Sequence, residues 1–316
     1  MKYTKLILIL LNALIITSCT QPQPTVQTVH TDVEDATVLI EENSTLTQMT
    51  IEITEVVTET TSPTETPAFT PTPDTRMLPE DWKKWSVNPQ ISGTVMDIFL
   101  HGQELGRNPN AFSKIGDCQN VKEAFLGFFD RQVVYLAENQ QHLQETIDNF
   151  SGYFNRDGFA VKGGLNAPSS LNPLMADPVA CQPDENPLMC EVRNNNPAYA
   201  FVSFELWYEG RSAENYETYL RQVLDYLISQ GIVPILLTKA DNTEGDDSIN
   251  YTIAKLAYEY DIPMVNWWYT AHTLPNNGMD PERNDDFHIS STAWTERSYD
   301  ALETLDAVWR TVRDLQ

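Results

Sequence analysis

Basic residues are scarce in this chain of 316 residues: 20 Lys and Arg stand against 45 Asp and Glu, a formal net charge of -25. Nucleic acid and anionic lipid surfaces both attract proteins of the opposite sign, so neither is expected as a partner. An acidic surface also simply keeps a protein soluble. Histidine and cysteine are few, at five and four, and neither C-x-x-C nor H-E-x-x-H occurs. The histidines, at 30, 101, 142, 272 and 288, are scattered, which excludes the common metal-ligand spacings.

At the N-terminus, Lys2 and Lys5 precede the apolar run "LILILLNALII", a secretory-signal pattern too short to span a bilayer. The "ITSC" that follows resembles the bacterial lipobox. That resemblance implies cleavage after residue 18, lipidation of Cys19, and a mature chain tethered outside the cytoplasm by the lipid alone. Residues 19–78 read as a disordered stalk: Thr, Pro, Glu and Gln dominate and end in "TETTSPTETPAFTPTPDT". Such a segment cannot bury enough apolar surface to offset its chain entropy. Proline and like-charge repulsion keep it extended. Residues 79–316, roughly 240 in number, suit one domain with a single core.

With Cys19 lipidated, Cys118, Cys181 and Cys190 remain. Cys181 and Cys190 bracket the short loop "QPDENPLM", which a disulfide could close in an oxidising compartment. Cys118 is then alone, in "FSKIGDCQN", either as a buried small hydrophobe or as a nucleophile.

In the folded part, the strand-like runs "AFSKIG", "GFAVKG", "AYAFVSFEL", "IVPILLTK" and "IPMVNWW" alternate with amphipathic helical patterns. The clearest helix is Ala213–Gly231, in which Tyr216, Tyr219, Leu220, Val223, Leu224, Leu227 and Ile228 share a face and Gly231 stops the run. "ISGTVMDIFLHGQELG", "SINYTIAKLAYEY" and the terminal "STAWTERSYDALETLDAVWRTVRDL" are further helices. Five strands alternating with helices predict an α/β fold with a parallel sheet covered on both faces. Its functional crevice lies at the carboxyl ends of the strands, and Cys118 sits at one of them.

Near the C-terminus, "NDDFHISSTAW" places Asp285 three residues before His288. A carboxylate at that spacing can accept the Nδ1 proton of the imidazole and leave Nε2 to deprotonate a nucleophile. A Gly-Asp-X turn after the first strand, with Asp-x-x-His before the last helix, resembles the SGNH or GDSL hydrolases over about Pro109–Leu315. The resemblance implies a flavodoxin-like three-layer αβα sandwich on a five-stranded parallel sheet. It also implies a metal-free and cofactor-free esterase or acyl hydrolase acting on an ester or acetylated glycan.

Carried over residue by residue, the resemblance makes Cys118 the nucleophile in place of the family's serine, with His288 and Asp285 as its partners. The oxyanion would be held by the backbone N–H groups of Cys118 and of Gly164 or Ala167. The family's third block, Gly-x-Asn-Asp, is not kept: Glu205 stands at the glycine and Trp207 at the asparagine. An indole N–H differs from an amide in reach, Glu205 would bring negative charge toward the oxyanion, and one missing donor costs about 10²–10³ in rate. At the start of a helix and near His288, Cys118 is expected to be a thiolate at a depressed pKa. The alternative function is a catalytically inactive fold serving glycan binding or a scaffold role. Trp207, Tyr208, Trp267, Trp268 and Tyr269 at the strand ends would then stack on sugars, or else only close the core rim. Lys239 and Asp241 in "TKADNTEGD" emerge from another strand end and line the crevice or a solvated loop. Nothing in the sequence fixes an oligomeric state.

Overall fold

The computed structural model describes residues 74–131, 134–205 and 212–315. Cys19, nearly all of the stalk, Trp207 and Tyr208 lie outside the described residues. Four parallel strands form one sheet in the order β1-β2-β3-β4: β1 Asn108–Gly116, β2 Pro197–Ser203, β3 Val233–Leu237 and β4 Met264–Val265. Every residue of β2 and β3 is buried, as expected for a parallel sheet with both faces covered.

The helices are α1 Gly93–Glu104, α2 Leu143–Asn149, α3 Ala167–Ser170, α4 Pro187–Asn195, α5 Ala213–Ser229, α6 Ser248–Tyr260, α7 Trp267–Ala271 and α8 Ser291–Val312. Helices α1, α2 and α8 pack as one group and α5 with α6 as a second, both reaching the sheet. Helix α5 follows its apolar stripe: Tyr216, Leu220, Val223, Leu224 and Leu227 are buried. Ser212 caps its start, and the left-handed Gly231 (φ 66) follows its end. Among the described residues no helix is long and apolar enough to cross a membrane.

The expected fifth strand, "GFAVKG", is reduced to a single parallel bridge between Val161 and Gly116. Gly116 donates to Ala160 O at 2.9 Å and accepts from Lys162 N at 3.2 Å. The run goes no further because its other main-chain donors are used elsewhere. Phe159 N–H bonds Glu191 Oε2 at 2.8 Å, and Val161 N–H closes a turn on Gly158 O. The expected strand "IPMVNWW" is likewise only two residues long: Asn266 N–H turns to Val87 O, and Trp267 already opens α7. The Cys181–Cys190 disulfide is present.

Candidate active site

The chain leaves β1 at Gly116 and turns sharply through Asp117–Asn120. Gly116 is required here by crowding: a Cβ would lie 2.0 Å from Ser203 O and 2.2 Å from Asn120 Nδ2. Asp117 is fully buried; one of its oxygens accepts from Gln119 N–H at 2.9 Å and the other from Glu205 N–H at 2.8 Å. This locks the turn to the end of β2 and presents the half-buried Cys118.

The loop before α8 carries His288 and Asp285. Met279 and Ile289 form an antiparallel bridge, and Gln119 Nε2 donates to Phe287 O at 2.9 Å, tying this loop to the nucleophile turn. Cys118 Sγ lies 3.7 Å from His288 Nε2, and His288 Nδ1 lies 2.7 Å from Asp285 Oδ2. Asp285 Oδ1 accepts the main-chain N–H groups of His288 at 3.0 Å and Phe287 at 3.1 Å. Those bonds, led by the His288 N–H, hold the Asp285 carboxyl down at about 2. The carboxylate is therefore ionised wherever the imidazole needs orienting. Three residues from two distant segments thus form a connected thiol–imidazole–carboxylate chain.

The expected thiolate is corrected. Burial, then the negative charges of Asp117 and Glu205, push the Cys118 thiol up to about 11. The helix expected to stabilise the anion is only a single 3₁₀ turn, Cys118–Asn120, with no macrodipole to speak of. At neutral pH the group is a thiol, with His288 Nε2 the acceptor nearest to hand for its proton.

Beside Cys118 is a turn closed by Leu165 N–H to Lys162 O at 2.9 Å, with Gly163 and Gly164 at its centre. A Cβ built on Gly163 would stand 4.0 Å from that of Cys118, and Gly164 has φ 80, open to glycine at little cost. Ala167 instead opens α3 and buries its side chain in the core. Gly163 is the residue of this turn that stands beside Cys118. Gly163 was not singled out by sequence, although the doubled glycine in "VKGGLN" was the available signal.

Several other expectations change. Glu205 does not aim at the oxyanion position: it is 1% exposed, and its Oε1 accepts from Arg297 Nη2 at 2.6 Å. Lys239, expected at the crevice, is completely buried, with Nζ paired to Asp241 at 2.7 Å and to Glu244, so it braces its own loop. Trp267 is buried in the core and offers no stacking face, whereas Tyr269 is 49% exposed. Arg297 was missed. Its signal was a charge at i+4 from Ala293 and at i−4 from Ala301, both buried on the same face of α8.

Among the described residues, Cys181, Glu185 and Cys190 bring ligand-type atoms together, but the two sulfurs are bonded to each other. A cleft of about 330 Å³ lined by Arg76, Trp85, Tyr258, Asp261 and Pro263 lies at the start of β4, the opposite end of the sheet from the thiol.

No family model matches the chain, and no curated protein matches it. Among solved structures it is similar to an acetyl xylan esterase, AlAXEase, at 18% sequence identity and a TM-score of 0.36, over 64% of this chain and 99% of that one.

Proposed function

We propose that the protein is an ester hydrolase of the SGNH type in which Cys118 is the nucleophile, His288 the general base and acid, and Asp285 the orienting carboxylate. The observation that carries this reading is the unbroken chain from Cys118 Sγ to His288 Nε2 to Asp285, 3.7 and 2.7 Å. An ester carbonyl settles against the thiol. His288 Nε2 takes the S–H proton as sulfur bonds the carbonyl carbon, and the carbonyl electron pair moves onto oxygen. The main-chain N–H groups of Cys118 and of the Gly163–Gly164 turn are assigned to that oxyanion. Collapse breaks the C–O bond, and the leaving alkoxide takes the proton from His288. Water, deprotonated by His288, then attacks the thioester; acid is released and the thiol is restored.

The substrate class is an ester or acetylated glycan, and the enzyme works outside the cytoplasm, held by lipid on Cys19. The sequence pattern of residues 1–19 supports that placement. Glycan binding without catalysis loses Trp267 as a stacking surface, because that side chain is buried.

The test is hydrolysis of a short aryl acetate by the full chain. Cys118→Ala and His288→Ala are each expected to abolish turnover while leaving the thermal unfolding midpoint near that of the parent. Unchanged turnover in either variant would remove the triad assignment.

A further inference from the structure

The nucleophile turn rests on a buried charged network that the triad does not use. Arg297, wholly buried on α8, donates through Nη1 to Gln119 O at 2.7 Å. Through Nη2 it donates to Asn120 Oδ1 at 3.2 Å, Ser203 Oγ at 2.9 Å and Glu205 Oε1 at 2.6 Å. Ser203 Oγ also donates to Glu205 Oε1 at 3.1 Å, and Asn120 Nδ2 donates to Ser203 O at 2.9 Å. One guanidinium therefore fixes both residues after Cys118 and the end of β2. The second oxygen of Glu205 is buried without a hydrogen-bond partner among the described residues. A buried ion pair is weak as a source of stability, so a carboxylate left half-satisfied under a nucleophile calls for another role.

We propose that Glu205 and Arg297 are positioning residues for Cys118, and that the charge of Glu205 keeps the nucleophile a neutral thiol until His288 takes its proton. The inference rests on Cys118 being the nucleophile. The charges facing this region come from every packed element: Asp117 from the turn after β1, Arg297 from α8, Asp241 from the loop after β3, and Arg283, Asp285 and His288 from the loop before α8. Burial and the neighbouring acids push the Glu205 carboxyl upward, against the opposing pull of Arg297. At the alkaline pH where the thiol titrates, Glu205 is ionised and adds to the negative field of Asp117. A neutral resting thiol is less prone to oxidation and off-target acylation than a thiolate.

The experiment is the rate of iodoacetamide alkylation of Cys118 in the folded full chain against pH, with Cys118→Ala as the blank. Glu205→Gln keeps an oxygen for Arg297 but removes the charge. It is expected to alkylate about 3- to 10-fold faster at pH 8, its titration moved to lower pH, since each unit of pKa is a tenfold change in thiolate. In Arg297→Gln the Glu205 carboxyl loses the guanidinium that holds it ionised and takes up a proton, so both charges leave together and alkylation is expected to stay within about twofold of the parent, as in Arg297→Lys. Simple loosening of the turn would speed both Gln variants. Matching acceleration in the two, or an unmoved titration in folded Glu205→Gln, overturns the proposal. If Glu205→Gln fails to fold, Arg297→Gln decides, because an acceleration of more than about threefold over Arg297→Lys overturns the proposal. Alkylation needs no substrate, so a shift confined to Glu205→Gln in a protein that turns over no ester would sink the hydrolase reading and leave the tuning standing.

Discussion

Replacing Cys118 with serine tests whether the site is built for sulfur. The thiol sulfur lies 3.7 Å from His288 Nε2, a distance suited to a large soft atom. A hydroxyl must approach to about 3 Å to pass its proton, and its shorter bond to Cβ takes it further from the ring, so at least about 0.7 Å has to be closed. His288 has little freedom to close it. Its Nδ1 is held at 2.7 Å by Asp285 and its main-chain N–H at 3.0 Å by the same carboxylate. Its loop is tied to the nucleophile turn through Gln119 and Phe287. Moving the ring toward residue 118 therefore stretches the bond that sets its tautomer. General-base assistance is worth about 10²–10⁴ in rate, and most of it is expected to be lost. For Cys118→Ser we expect kcat/KM on a short aryl acetate to fall about 100-fold or more, roughly 2.7 kcal/mol of transition-state stabilisation. The thermal midpoint should hardly move. A serine variant as active as the parent would refute the claim that this geometry is matched to a thiol.

Two further outcomes follow from packing and charge. Gly116→Ala would place a methyl 2.0 Å from Ser203 O and 2.2 Å from Asn120 Nδ2. It should both destabilise the domain, by roughly 1–3 kcal/mol as for other overpacked sites, and strip ester hydrolysis; a stable, fully active variant in denaturant titration and turnover assays would contradict the crowding. Burial pushes the Asp300 carboxyl up to about 7, so between about pH 4 and 7 the folded state holds a proton that the unfolded chain has released, and stability falls as pH rises through that window. Asp300→Asn should flatten the fall in thermal midpoint and recover on the order of 2–4 kcal/mol at pH 8; parallel curves for parent and variant would rule this out.

What was legible in the sequence was local. The periodicity of Ala213–Ser229 read correctly because its buried side chains recur on one face within the segment, although Tyr219, assigned to that face, is 36% exposed at its margin. The Gly-Asp-Cys turn and Asp-x-x-His were visible because each functional spacing is only a few residues long. What failed depended on groups brought in from elsewhere. "GFAVKG" has strand composition, but Glu191 takes one of its donors. Lys239 is the exception, since its partners Asp241 and Glu244 lie in the same loop and what the sequence hid was only that the loop folds back to bury it. Glu205 reads as a misplaced charge until Arg297, 92 residues away in sequence, pairs with it. The acidity of Cys118 was misjudged because nearby carboxylates and burial, rather than the short turn that follows it, set the local potential.

The placement of Arg297 also governs when the site can exist during biosynthesis. The nucleophile turn, the end of β2 and the guanidinium that joins them are made far apart in time, with α8 the last of the described α-helices to leave the ribosome. A nascent chain that has already paired β1 with β2 still lacks the donor to Gln119 O and Asn120 Oδ1, and it lacks His288 as well. Until α8 and the loop before it dock, Cys118 has neither its imidazole neighbour nor the guanidinium that holds its turn.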